Sequence, residues 1–333
     1  MKIKIVFLVT VIFGFFLYSG CNLDTIVNNN DSNPSSSIYN ISMNKAYPLN
    51  TPTYDGSGQS IHPDILLLPT NVYSTCGKFI LALTPYPGGN NQFENPSLLT
   101  SSNGIEFTIP DHVINPLVPT PAHGHNDDPD ILFNQMNHQY YYYYLETCKP
   151  DSQNFVLLTS SDLGNWNKNV IIHYDLHNDP DFVVSPSVII DQNDIWHLIY
   201  VNNIGSNRIE SMNSTNGVQW DENSKIILNL GEPLNFRPWH IDVFQSLNMY
   251  YMLACGMADH PNLYIGRSQD LINWDFSPEP ILTPQETNLN CNRIYRSSGF
   301  VINDVIYIYF SYISPNNQCN IGIFKTKLDS IEF

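Results

Sequence analysis

The heptapeptide Ser160-Ser161-Asp162-Leu163-Gly164-Asn165-Trp166 decides the fold, because the chain repeats it. Ser101-Ser102-Asn103-Gly104-Ile105-Glu106-Phe107, Ser214-Thr215-Asn216-Gly217-Val218-Gln219-Trp220 and Ser268-Gln269-Asp270-Leu271-Ile272-Asn273-Trp274 align with it without gaps, and the starts advance by 59, 54 and 54 residues. Each copy carries turn formers at its centre and ends on an aromatic that can cover a hairpin turn. One copy would carry no weight. Four in register define a repeat.

Between these copies lies a second recurrence. His62-Pro63-Asp64-Ile65-Leu66, Asp128-Pro129-Asp130-Ile131-Leu132 and Ser185-Pro186-Ser187-Val188-Ile189 share one form, and His240-Ile241-Asp242-Val243-Phe244 and Arg296-Ser297-Ser298-Gly299-Phe300 take the next two places without the proline. An aromatic-rich strand follows each, for example Tyr140 to Glu146 and Val305 to Ile313. A third strand runs into the Ser-x-x-x-x-x-Trp turn and a fourth leaves it. Four short strands recurring five times at about 55 residues predict an all-β chain, a five-bladed β-propeller of four-stranded antiparallel blades. The fifth unit ends after three strands, so Ser37 to Met43 is expected to donate the outer strand that closes the ring.

Composition narrows the partners. The 333 residues hold 14 Lys+Arg against 31 Asp+Glu, a formal charge of −17. Such a chain repels phosphate backbones and anionic lipid surfaces, so no nucleic-acid partner is expected. Charged residues make up 14% and hydrophobic residues 42%, enough apolar surface for a full core.

The first 21 residues read as a secretory signal: Lys2 and Lys4, an apolar run from Ile5 to Tyr18, then Ser19-Gly20-Cys21. Cys21 after Ser-Gly resembles a bacterial lipobox, which implies lipidation there and an exported, membrane-anchored protein at the cell surface or in the periplasm. Residues 22–37 are low-complexity and polar, a tether leading to a propeller over 38–333. A monomer is expected, touching the membrane only through its anchor. Cys76, Cys148, Cys255, Cys291 and Cys319 are odd in number; Cys291 and Cys319 flank one late segment and can bridge it.

In a propeller the first strand of each blade lines the axis, so its starting side chains converge at one mouth. Here these are His62 and Asp64, Asp128 and Asp130, Ser185 and Ser187, His240 and Asp242, Arg296 and Ser298. Residues two apart on a strand face the same way. Four carboxylates, two imidazoles and one guanidinium around an axis are costly to bury and are the material of acid–base chemistry. For Asp64, Asp128 and Asp130 the alternative is a structural role, accepting backbone N–H groups at a tight centre, and for His62 and His240 it is that of a buried, hydrogen-bonded core histidine.

The Asp-Pro-Asp-Ile-Leu and Ser-Pro-Ser-Val-Ile segments and the Ser-x-Asp/Asn-x-x-x-Trp turns resemble the five-bladed propeller glycosidases of the glycoside hydrolase family 43 type, from about Ser57 to Lys327. More narrowly, Thr84-Pro85-Tyr86-Pro87, Glu94-Asn95-Pro96, Trp239-His240-Ile241-Asp242 and Ile294-Tyr295-Arg296-Ser297 are similar to bacterial lipoproteins described only as glycosyl hydrolases. The resemblance implies an exported glycoside hydrolase acting on a neutral poly- or oligosaccharide. Its pattern places Asp64 as base and Asp128 or Asp130 as the residue that tunes the acid. Blade three offers Ser185-Pro186-Ser187 where that pattern has the acid Glu, and Glu94 is the candidate replacement, with Asp179 and Asp181 weaker ones. Tyr86, Trp239 and Tyr295 can stack on sugar rings, and His62, Asp130, His240, Asp242 and Arg296 can contact hydroxyls. No cofactor and no metal ligands are assigned, although the family sometimes carries an axial ion such as calcium. The missing blade-three Glu favours the alternative, a surface lipoprotein that binds glycan without cleaving it.

Overall fold

The computed structural model describes residues 37–69, 72, 77–177, 182–203, 207–231, 237–257 and 259–333. Cys21, the tether up to residue 36, Cys76, Asp179 and Asp181 lie outside the described residues. Within the unit Ser36–Phe333, a short strand β1 (Tyr47–Pro48) precedes five antiparallel sheets. Blade one is β2 (Ser60–Leu67), β3 (Phe79–Pro85) and β4 (Ser97–Ser101). Blade two is β5 (His125–Asn134), β6 (Gln139–Cys148), β7 (Ser152–Ser160) and β8 (Asn167–Asp175); blade three is β9 (Val183–Ile190), β10 (Trp196–Asn202), β11 (Arg208–Ser214) and β12 (Trp220–Ile227). Blade four is β13 (Pro238–Ser246), β14 (Met249–Gly256), β15 (Leu263–Ser268) and β16 (Asp275–Phe276), and blade five joins β17 (Arg293–Ile302), β18 (Val305–Ile313) and β19 (Cys319–Lys327) to β1. The first strands β2, β5, β9, β13 and β17 neighbour one another in that order, and β17 returns to β2. The ring is therefore closed.

Four sheets have four strands and blade one has three; the Thr100 and Thr108 amides and carbonyls exchange bonds of 2.9 and 3.0 Å where a fourth strand would begin. Closure differs from expectation in register. Tyr47–Pro48 pairs with β19, extended by Asn44 N to Lys325 O and Leu49 N to Ile321 O, while Ser37 to Met43 forms turns. Ile38 is fully buried against Phe79 and Tyr309, so this segment serves packing rather than pairing. Cys148, Cys255, Cys291 and Cys319 are free thiols, so Cys291 and Cys319, which could have bridged, do not.

The repeated heptapeptide works through its side chains. Ser160 Oγ accepts the amides of Asp162 and Leu163 at 3.1 and 2.9 Å, and Asp162 Oδ1 accepts those of Gly164 and Asn165 at 3.0 and 2.8 Å. The same four bonds recur at Ser101/Asn103, Ser214/Asn216 and Ser268/Asp270. Hydroxyl and Asx oxygens thus satisfy turn amides that no strand reaches. Between blades, strand alternation sorts the tyrosine run. Tyr140, Tyr142 and Tyr144 enter the layer shared with blade one, and Tyr141 and Tyr143 the layer shared with blade three.

Candidate functional site

A β-bulge interrupts the pairing of each first strand near its start, between Ile61 and Asp64, between Asp127 and Asp130, and at the corresponding places of β9, β13 and β17. In the three blades with the x-Pro-x motif, the residue before proline takes a left-handed backbone: φ is 56° at His62, 50° at Asp128 and 57° at Ser185. Such a conformation costs of order 1–3 kcal/mol each and persists only where the surroundings enforce it. In blades one to three the bulge falls at the residue before proline, whereas in blade four it lies between Pro238 and His240.

The second tier, residues 64, 130, 187, 242 and 298, is a hydrogen-bonded ring. Asp64 accepts the Ile131 amide, Asp130 the Val188 amide at 3.1 Å, Ser187 the Val243 amide at 2.9 Å, Asp242 the Gly299 amide, and Ser298 the Ile65 amide at 3.0 Å. Each blade's side chain thus holds the backbone of the next. Ser298 also donates to Asp64 at 2.7 Å. Burial pushes the carboxyls of Asp64, Asp130 and Asp242 upward, Asp130 and Asp242 well above the usual range because their neighbours are also acids.

The first tier, residues 62, 128, 185, 240 and 296, is different. His62 Nε2, His240 Nδ1 and Arg296 Nη1 stand 3.4, 3.3 and 2.9 Å from one atom, Asp128 Oδ1. Asp128 Oδ2 accepts the Ser185 amide at 2.8 Å, and Arg296 Nη2 donates to Pro186 O at 3.1 Å. Arg296 lies behind the aspartate, fully buried, rather than at the mouth. Burial disfavours the Asp128 charge, but the two imidazoles and the guanidinium outweigh it and hold the carboxyl well below its ordinary range. Burial pushes both imidazoles down, His62 furthest. Burial thus favours the neutral form of each ring, and the groups around Asp128 favour its ionised form. His62 Nε2 and both nitrogens of His240 are buried without an aligned hydrogen-bond partner, which is uncommon and calls for a ligand.

Glu94 reaches the same space. Ser60 at the start of β2 pairs with Pro85 at the end of β3, so the loop that follows β3 sits over the axial mouth. The Asn126 amide donates to Glu94 O at 3.0 Å and fixes that loop to blade two. Glu94 Oε1 lies 3.6 Å from His62 Nδ1, and Oε2 lies 3.9 Å from His125 Nε2. Burial, then the charges of Asp127 and Asp128, push the Glu94 carboxyl well above its usual value. His125 Nε2 lies 3.0 Å from Asp127 Oδ2. Burial opposes charge on the His125 ring, yet the Asp127 bond and charge prevail and its pKa is raised.

An aromatic wall completes the cluster. The Tyr295 ring lies 4.4 Å from that of His240 and 5.5 Å from that of His62, and Trp239 Nε1 approaches Tyr295 OH at 3.4 Å. Tyr86 is half-buried nearby, its phenol pushed up to about 12 by burial and by Glu94.

The structure thus brings Asp128, Glu94, His62, His240, Trp239 and Tyr295 together, with Arg296 behind them. Asp64, Asp130 and Asp242 sit one tier further in. The blade-three hydroxyls are committed to the frame, since Ser185 Oγ bonds both the amide and the carbonyl of Ile241 at 2.8 Å. His125 and Asp127 escaped the sequence reading, which began blade two at Asp128. The alternation of His125 and Asp127 directly before the Asp-Pro-Asp segment was the available signal. Where no metal ligands were expected, three groups of His, Asp and Glu side chains among the described residues have ligating atoms within 4.8 Å of one another: His62/Asp128/His240, Glu94/His125/Asp127 and Asp64/Asp130/Asp242. The first fits a divalent cation best. It offers two deprotonated imidazoles with free nitrogens and one carboxylate, the donor set of many hydrolytic and redox centres.

Comparison with known proteins agrees with the architecture. The sequence profile of the glycosyl hydrolases family 32 N-terminal domain matches residues 119–320, more than half of the chain. An A type blood N-acetyl-alpha-D-galactosamine deacetylase of Flavonifractor plautii is 25% identical over 298 residues, 73% of this chain. The match spans 38% of that relative's length. A crystal structure of an N-acetylgalactosamine deacetylase from F. plautii in complex with blood group B trisaccharide superposes with a TM-score of 0.71 at 20% identity, covering 84% of this chain and 94% of the other. A thermostable family-43 glycoside hydrolase superposes at 0.59 with 13% identity, covering 81% and 89%.

Proposed function

Starting from a chain that belongs to the glycosyl hydrolases family 32 N-terminal domain family, we propose a carbohydrate hydrolase that removes the acetyl group from an acetamido sugar, with a divalent cation held by His62, Asp128 and His240. One observation carries this reading: two buried imidazoles, with nitrogens that lack an aligned hydrogen-bond partner, converge on a single carboxylate oxygen of Asp128, with a second carboxyl, Glu94, alongside. The deacetylase activity named for the F. plautii relative supports it. A divalent ion there supplies Lewis-acid polarisation of the acyl carbonyl.

The remaining work falls to the chain's own side chains. Glu94, in its carboxylate form, takes a proton from the attacking water, whose oxygen bonds to the acyl carbon. As the C–N bond breaks, Glu94 returns that proton to the departing amine, leaving acetate and a free amino sugar. A carboxyl raised by burial toward the working pH suits both halves of this transfer. His125, its charge favoured by Asp127, faces Glu94 through Nε2 and adds positive character beside that carboxyl. Tyr295 and Trp239 offer an apolar face to the sugar ring.

Acetate release from N-acetylgalactosamine and N-acetylglucosamine glycosides, measured with metal content per chain, tests this. Activity is expected to vanish on chelation and return with a divalent ion. Release of reducing sugar without acetate would replace the reading with O-glycosidic hydrolysis. That second reading is favoured by one observation, the Glu94 and Asp127 carboxyls facing each other with oxygens inside 4.8 Å. This spacing is nearer to the retaining geometry of about 5–5.5 Å than to the inverting one. Export and anchoring through Cys21 belong to the same proposal, and incorporation of labelled palmitate, lost in Cys21→Ser, tests them.

A further inference from the structure

Beside the reaction centre lies an open cleft of about 480 Å³, a size suited to a small ligand, lined by Asn91, Gln92, Thr120, His123 and His125. His125 forms the wall common to both spaces: its Nε2 faces Asp127 and Glu94, while its Nδ1 lies 3.4 Å from Asn91 Nδ2. A group against Glu94 and a group in the cleft therefore stand on either side of one imidazole ring.

The cleft is built before any ligand arrives. Its two walls, the turn at Asn91–Phe93 and the segment around Thr120 to His125, are tied from behind by buried amides. Asn95 Nδ2 donates to Thr120 Oγ1 at 2.6 Å, and Asn126 Nδ2 donates to Asn95 Oδ1 at 2.7 Å. Both asparagines are completely buried. At Gly124 the segment runs so close to β6 that an added Cβ would stand 1.9 Å from Thr147 O, so this position excludes any side chain. Rigid walls spare the ligand the entropy of ordering them.

The chemistry of the lining is selective. Amide, hydroxyl and imidazole groups face the space, and among the described residues no lysine, arginine, aspartate or glutamate lines it. Such groups match the donor–acceptor hydroxyls of a sugar. They offer no counter-charge to a carboxylate or sulfate, while Glu94 and Asp127 next door repel one.

We propose that this cleft is a subsite for a neutral sugar joined by a glycosidic bond to the sugar that reacts, so that the substrate is an acetamido sugar within an oligosaccharide rather than the free monosaccharide. The inference rests on placing the reaction at Glu94 and its neighbours. The full chain is probed on an array of neutral oligosaccharides containing N-acetylhexosamine, the corresponding monosaccharides, and counterparts whose flanking sugar is a uronate. Retention of neutral oligosaccharides at least tenfold above both other sets is expected. Ala122 also lines the cleft, so Ala122→Trp, which fills it, is expected to erase that preference, and Gln92→Ala with His123→Ala to weaken it. Equal retention of monosaccharides, preference for uronates, no retention of any oligosaccharide, or a preference that survives Ala122→Trp would overturn the subsite. Array binding needs no turnover. A protein that holds these glycans yet releases no acetate keeps the subsite and loses the reaction. One that deacetylates mono- and oligosaccharides alike keeps the reaction and loses the subsite.

Discussion

Residues 62, 128, 185, 240 and 296 and residues 64, 130, 187, 242 and 298 stand two apart on the same five strands, and both sets are buried. In the second set every member accepts a backbone amide from the next blade, and the ring closes on itself. In the first set two imidazoles keep nitrogens with no aligned partner, and an aspartate oxygen serves three groups at once. Burial and charge are shared by the two tiers. Satisfaction is what divides them, since a protein gains nothing from stranding polar atoms unless something else is to meet them.

The comparison can be broken by substitutions on either side of it. The largest effect is expected for Asp128→Asn, which removes the charge that Arg296 and the two histidines surround. Activity should fall by about 10³-fold or more, bound metal should be lost, and stability should drop by about 3–5 kcal/mol because a guanidinium is left buried without its counter-ion. Titration calorimetry with the metal and chemical denaturation separate the two losses. An active, metal-binding variant would remove the first tier from the chemistry.

Glu94→Gln comes next. It keeps the shape and deletes the proton carrier, so a loss of about 10²–10⁴-fold in kcat is expected. Its carboxyl is raised by burial, so the folded state binds the proton more tightly than the unfolded chain. That contribution to stability is present below the ordinary carboxylate range and is lost as pH rises through the raised value. The amide carries no such penalty, and the melting temperature at neutral pH should stay level or rise. A fall in melting temperature with kcat unchanged would move Glu94 to the structural tier.

In the second tier, Asp130→Ala should cost about 1–3 kcal/mol by stranding the Val188 amide, with metal content kept at the wild-type level. Asp130→Asn should cost less, since an acceptor remains. Burial and the neighbouring acids hold the Asp130 carboxyl well above the ordinary carboxylate range, so its share of stability is also lost as pH rises through that raised value. Denaturation midpoints across this range should therefore fall less steeply in Asp130→Asn than in wild type, and an identical slope would sink the assignment. The smallest effect is expected furthest from the axis. Asp162→Ala removes the acceptor of two backbone amides from an exposed repeat turn and should cost about 1 kcal/mol or less.

Much of this was legible in the sequence, and for physical reasons. Turn chemistry is local, so the Ser/Asx heptapeptides announced their hairpins, and strand alternation announced the two faces of Tyr140 to Tyr144. Convergence of blade starts followed from the repeat. The two tiers did not, because period-two reasoning places His62 with Asp64 and Asp128 with Asp130, and only their hydrogen-bond partners separate them. Glu94 was reachable from its loop, but the share of His125 and Asp127 depended on where β5 begins. The closing strand was misplaced by a few residues because Ile38, read as strand, is an apolar plug.

The ring of amides has a direction. Each blade's first strand offers a side chain that only the following blade can meet, and Ser298 of the last meets Ile65 of the first. A chain with four blades seated has an open circuit at this tier. Asp128, His240, His62 and Arg296 come from four different blades, so their meeting point also exists only when the circle is complete. The proposed centre is thus a report on finished folding. A nascent or truncated chain can be largely β-structured and still present no chemistry at all.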